Sequence, residues 1–129
     1  MNGINFKREV KDSMDGAIDR ITKALAGEGF SILTRIDMHS KIKEKIGKDI
    51  VPTVILGACN PVLAHEAYTT NTDVASLLPC NAVVREISPG TISIELAAPS
   101  GMMKILGDAD LVALAGQADD RLKKALAAA

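Results

Sequence analysis

Both cysteines of the chain are followed directly by an asparagine, in Cys59-Asn60-Pro61 and in Cys80-Asn81. A thiol is the strongest nucleophile and softest ligand that the chain offers, and a neighbouring amide can donate and accept hydrogen bonds. Cys59 closes the apolar run Val51–Ala58, and Asn60-Pro61 reads as a helix start. Asn caps the helix, and Pro occupies the first turn, where no backbone donor is needed. Cys59 is therefore expected beside a helix N-terminus, where free N–H groups and the helix dipole favour a thiolate or a bound anion. His65 lies five residues further on, with its Cα–Cβ bond tilted back toward that terminus. A plainer account fits the same residues: cysteine as a small hydrophobe and asparagine as turn chemistry.

Other chemistries find little support. The two cysteines form no CxxC pair, and their spacing with His39 and His65 matches no zinc pattern, so no metal is expected. No Ser-His-Asp set can be placed, and Glu95 has no identifiable acidic partner. Lys41, Lys43, Lys45 and Lys48 lack the glycine-rich loop of a phosphate site and read as a solvated surface. Met102-Met103 reads as packing. The catalytic residues and any cofactor stay unknown, and whether the chain is an enzyme is open.

The totals narrow the partners. The chain has 129 residues, 47% apolar and 24% charged, which suits one domain spanning 1–129 with a real core. A net charge of -1, with one Tyr, two Phe and no Trp, offers neither field nor stacking platform for nucleic acid. The N-terminus has no export signal, and no apolar run approaches the ~18 residues of a membrane span. A cytoplasmic protein with reduced thiols and no membrane contact is the expectation. A small molecule and a second copy of the chain are the partners left open.

Hydropathy patterning supplies the elements. Ile4–Val10 reads as a strand, followed by a helix capped by Asp12, with an apolar stripe of Met14, Ala17, Ile18, Ile21, Ala24 and Leu25 ended by Gly27 and Gly29. Phe30–Asp37 alternates as a strand half-buried on one face. Asp37 or Ser40 opens a short helix with Ile42 and Ile46 inward. Val51–Ala58 is a covered strand with Pro52 at its beginning. The helix after Asn60 turns Leu63, Ala64, Ala67 and Tyr68 inward, and Thr69–Asp73 breaks it before a second short helix over Asp73–Leu78. Asn81–Ile87 and Thr91–Ala97 form a hairpin across Ser88-Pro-Gly90, with Ile92, Ile94 and Leu96 inward and Thr91, Ser93 and Glu95 outward. Pro99-Ser-Gly101 reads as a turn, and a final helix over about 108–128 carries Leu111, Ala115, Ala118, Leu122 and Ala125 on one face. The order β-α-β-α-β-α-α-β-β-α is that of an α+β domain, a mixed, mostly antiparallel five-stranded sheet with helices packed against it.

The helical break decides whether the cysteines meet. One unbroken helix after Cys59 would carry the chain to the far end of the sheet, roughly 20 Å away. Two short helices can double back, so Cys59, Asn60, Cys80 and Asn81 are expected to crowd one rim.

Gly29-Phe-Ser-Ile-Leu-Thr-Arg-Ile-Asp37, Val54-Ile-Leu-Gly-Ala-Cys-Asn-Pro61, Leu63-Ala-His65 and Leu77-Leu-Pro-Cys-Asn81 resemble the domain of unknown function 302 family. The resemblance runs from about Ile4 through Met103 and leaves the last helix outside it. It implies a compact α+β domain of bacteria and archaea, often a stand-alone protein, and brings no established activity. It marks Cys59, Asn60, Pro61, His65, Cys80 and Asn81 as family-pattern positions without assigning roles. Two functions are carried forward. One is a small-ligand or thiol-handling module using the Cys-Asn rim, in which both thiols react faster than an ordinary thiol. The other is a non-catalytic homodimeric interaction domain, joined through a strand edge or the Met102-Met103 region.

Overall fold

The computed structural model describes residues 5–129. Ile4, at the start of the first expected strand, lies outside the described residues. The elements run β1 (Asn5–Lys11), α1 (Met14–Gly27), β2 (Ser31–Asp37), α2 (Met38–Ile46), β3 (Thr53–Cys59), α3 (Pro61–Thr70), a 3₁₀ segment (Thr72–Leu77), β4 (Cys80–Ser88), β5 (Thr91–Ala97), α4 (Pro99–Met103), a 3₁₀ turn (Lys104–Leu106) and α5 (Ala109–Ala128). The expected order is present, with α4 as an addition. Pro99-Ser-Gly101 is thus a helix start rather than a turn.

The sheet has the order β1-β5-β4-β3-β2, and every neighbouring pair is antiparallel. The parallel pair expected of a mixed sheet does not form. Helix α2 turns the chain around at one end, and α3 with its 3₁₀ segment turns it around at the other. Each connection therefore returns an antiparallel neighbour. Only β1-α1-β2 is a crossover, and it carries β2 to the opposite edge of the sheet from β1.

One face of the sheet builds the core. Val54, Leu56, Ala82, Val84, Ile92, Ile94 and Leu96 pack against Ala17, Ile21 and Leu25 of α1 and Leu122, Ala125 and Leu126 of α5. Both helical stripes lie where their spacing places them, with Met14, Ile18 and Ala24 partly buried at the margin. Arg8 of β1 donates to the carbonyls of Leu126 (2.9 Å) and Ala127 (2.8 Å), a cation on the last turn of α5.

Several local expectations change. The cap of α1 is Ser13, whose Oγ accepts from Gly16 N–H at 3.0 Å. Asp12 is engaged with Ser13 N–H and with Arg20, 3.0 Å away. Strand β2 lies at the sheet edge, and its alternation breaks at a bulge between Ile32 and Thr34. Leu33 is the extra residue, so β2 is largely exposed rather than half-buried. Asp37 precedes α2 without a capping bond. His39 Nδ1 instead accepts Thr53 N–H at 3.0 Å and fastens α2 to β3.

Gly57 matters for β2 and β4 together. A Cβ there would meet Thr34 Oγ1 and lie 2.7 Å from Pro79 Cγ. Gly57→Ala is expected to cost about 1–3 kcal/mol in denaturant unfolding. Thr34→Ala in the same chain should recover part of that loss, because one of the two obstructing groups is gone.

Candidate functional site

The doubled-back connection brings the two Cys-Asn pairs to one rim. In the β3–β4 register Ala58 faces Cys80 and Gly57 faces Asn81, so Cys59 and Asn60 follow directly beside the start of β4. The break in the helix is real: α3 ends at Thr70, and Asn71 Oδ1 accepts Asp73 N–H at 3.0 Å to start the 3₁₀ segment.

Asn60 caps α3 as its sequence indicates, its Oδ1 accepting Leu63 N–H at 3.2 Å. Its Nδ2 donates to the Glu28 carbonyl at 3.5 Å, which also accepts from Arg121 Nη1 at 3.3 Å. The amide is 6% exposed. Gly29, at φ +84°, allows this approach, since a Cβ there would stand 3.0 Å from Asn60 Nδ2. Pro61 occupies the first turn of α3 and is exposed.

Cys80 lies on a wall shared by two spaces. On one side is an apolar cavity of about 50 Å³ between the ends of β3 and β4 and helices α3, α4 and α5. Cys59, Cys80, Leu78 and Met103 line it, with Ala58, Ala64, Ala67, Ala115 and Ala118 supplying short side chains. On the other side is a cleft of about 260 Å³ bounded by Ser76–Asn81, Ala97, Met102 and Met103. The cavity has room for a water-sized or methyl-sized group, while the cleft falls just below the usual range for drug-sized ligands.

The rim does not activate its thiols. Burial pushes the Cys59 thiol up from its ordinary 9.0. Cys80 is pushed up to about 11, mainly by burial, with smaller contributions from Cys59 and Asp119. Both shifts run against the expectation of two fast-reacting thiols. The helix terminus has few donors left over: Pro61 has no N–H, Leu63 N–H goes to the Asn60 side chain, and Ala64 N–H goes to the Asn60 carbonyl at 2.8 Å, which leaves Val62 N–H. Desolvation then outweighs the dipole.

His65 is exposed and lines neither space, so the fold does not bring it to the thiols. Tyr68, expected on the inner face of α3, is 51% exposed. Asn81 is exposed at the cleft. Ala115 and Ala118, expected on the inward face of the last helix, also line the cavity, which the sequence pattern did not indicate. Sequence reasoning missed Asp119, which accepts Ser100 N–H at 3.1 Å and the Ser100 hydroxyl, and so holds the start of α4. Among the described residues, no group of three or more His, Cys, Asp or Glu gathers as a metal site, and no helix is long and apolar enough to cross a membrane.

Fold and rim together define a two-layer α+β domain with a cysteine-walled cavity at one end of an antiparallel sheet. The chain belongs to the DUF302 family, a domain of unknown function, whose model matches residues 6–129. That match includes α5, beyond the stretch that carries the motif resemblance. The chain is similar to an uncharacterized conserved DUF302 protein from Bacillus stearothermophilus, at 30% identity, covering 96% of each chain with a TM-score of 0.89. No curated protein matches it.

Two measurements check the site. Asn60→Ala should lower stability by about 1–2 kcal/mol, through loss of the cap and of a buried partner for Glu28. For Cys80 the folded thiol holds its proton to about pH 11, whereas the unfolded thiol loses it near 9.0. The folded state binds more protons in that window, so stability is full below pH 9 and falls as pH rises toward 11, by about 2–3 kcal/mol from this group. Cys80→Ala should flatten that part of the stability–pH curve.

Proposed function

We propose that the chain is a binding module for a small, largely uncharged molecule seated in the cleft against Cys80. The carrying observation is the pair of spaces that share the Cys80 wall, one with Asn81 at its edge, the other small and apolar. Asn81 supplies hydrogen bonds to a polar group of the ligand. Cys59 and Cys80 supply neutral, polarizable S–H contacts rather than nucleophiles, since burial keeps both thiols protonated at neutral pH. Asn60 and Pro61 position the rim from below. Thiol handling, in this reading, means recognition of a sulfur-containing or apolar group and not covalent exchange. Two free thiols near each other suit a reducing, cytoplasmic setting.

Native mass spectrometry and thermal shift against a panel of small thiols, thioethers and short acyl compounds test this reading. A ligand at a hundredfold excess over its Kd should add about 2.7 kcal/mol of stability. Ala97→Leu, which narrows the cleft, and Asn81→Ala should each weaken that ligand while leaving the fold intact. A panel with no binder, or a binder indifferent to both substitutions, counts against the site.

A second reading is a homodimeric interaction domain in which the Cys-Asn pairs are structural; Asn60 supports the structural part of it, since its side chain is committed to bonds within the chain. Met103 does not suit such a contact, because it is buried within the protomer.

A further inference from the structure

Sulfur is concentrated at the cysteine rim. The chain holds two Cys and five Met, and Cys59, Cys80, Met102 and Met103 all border the cavity or the cleft. Three of these, Cys59, Cys80 and Met103, line the cavity itself, from the end of β3, the start of β4 and the end of α4. Cys59 stands one residue past the Ala58–Cys80 pair, so the two thiols belong to adjoining ends of neighbouring strands. They are near enough for Cys59 to contribute to the raised pKa of Cys80. Met103 is carried in by α4, whose start Asp119 holds, and it is 4% exposed.

The cavity wall offers no harder donor. Among the described residues that line it, Asn60 alone carries nitrogen or oxygen in its side chain. Its Oδ1 is taken by Leu63 N–H, and its Nδ2 by the Glu28 carbonyl. What is left to face a guest is hydrocarbon and three sulfurs. Magnesium and calcium call for oxygen, and a structural zinc ion for four nitrogen or sulfur ligands. Thiol and thioether sulfur together select a soft ion. A space of about 50 Å³, enough for one ion without a hydration shell, suits an ion of low coordination number.

We propose that the cavity binds a soft monovalent metal ion of the copper(I) class, held by the sulfurs of Cys59 and Cys80 with the Met103 thioether as a third donor. The site needs neither Asn81 nor a molecule in the cleft, so it goes beyond the binding reading above. Both thiols are only partly buried, so a copper(I) bis-thiolate carrier can hand the ion over. Two copper–sulfur bonds to the carrier break and two to the cysteines form, while the two S–H protons pass to the departing carrier thiolates. Copper stays monovalent, and the charge on the ion with its two thiolates is -1 before and after. That charge lies beside the N-terminus of α3, where Val62 N–H is left over.

Anaerobic titration of the full chain with copper(I), buffered by a coloured chelator, tests the site. The wild type should take one ion per chain. Cys59→Ser and Cys80→Ser should each weaken binding by about a hundredfold, because a hydroxyl is a poor ligand for a soft ion. Met103→Leu, close in volume, should weaken it by about tenfold. Met102→Leu and Asn81→Ala, at positions that border only the cleft, should leave it unchanged. Copper X-ray absorption should show a shell of sulfur alone. A wild type that takes no ion, single-cysteine variants that bind as the wild type does, indifference to Met103→Leu, or a shell containing nitrogen or oxygen each overturns the inference. If a cysteine variant misfolds, the shell of the wild type and the Met103→Leu titration decide. A cleft ligand found or missed leaves these results as they are, so the two readings fail separately.

Discussion

The buried amide of Asn60 is the tie on which the cysteine end of the molecule depends. One atom of it starts α3, and another holds the Glu28 carbonyl at the turn between α1 and β2. Four segments meet there: the end of β3, the start of α3, the Gly29 turn and, through Arg121, the outer side of α5. An amide suits this place because it both accepts and donates without carrying charge. A carboxylate could accept from Leu63 N–H but could not donate to Glu28, and it would have to be desolvated. The cavity beside Cys59 and Cys80 thus owes its outline to an asparagine that does not line the cleft.

The cavity itself follows from side-chain length. Where α5 packs on the sheet it uses Leu122, Ala125 and Leu126; where it passes the rim, Ala115 and Ala118 stand between Leu111 and Leu114 and the rest of the cavity wall. Alanines of α3 face the same space. Close helix approach and short side chains leave a gap whose walls are hydrocarbon and sulfur. Burial against such walls raises both thiols above their ordinary pKa.

Local signals predicted local structure well. The stripes of α1 and α5, the Ser88-Pro-Gly90 hairpin and the Asn60-Pro61 start are each set by residues a few positions apart, and each is where its pattern puts it. The signals that failed depend on distant partners. Pro99-Ser-Gly101 looks like a turn because its cap, Asp119, comes from another helix. Asp12 looks like a cap until Arg20 and Ser13 compete for it. Cys59 looks activated until its burial, which raises the thiol, is set against the helix terminus. The rim was legible through the Thr69–Asp73 break, whereas the second layer of the cavity wall, from α4 and α5, depends on tertiary packing that spacing does not encode.

The bulge at Leu33 has a consequence for how the molecule behaves in a crowd. Strands β1 and β2 are the two free margins of the sheet, and an unpaired margin is a template for fibrils. On β2 the bulge interrupts the regular ladder, and the Arg35–Asp37 ion pair, 2.8 Å apart, places charge where an added strand would lie. On β1 Lys7, Arg8, Glu9 and Lys11 do the same with charge alone. Runaway growth by strand addition is discouraged at both margins, by a break in the ladder on one and by charge alone on the other.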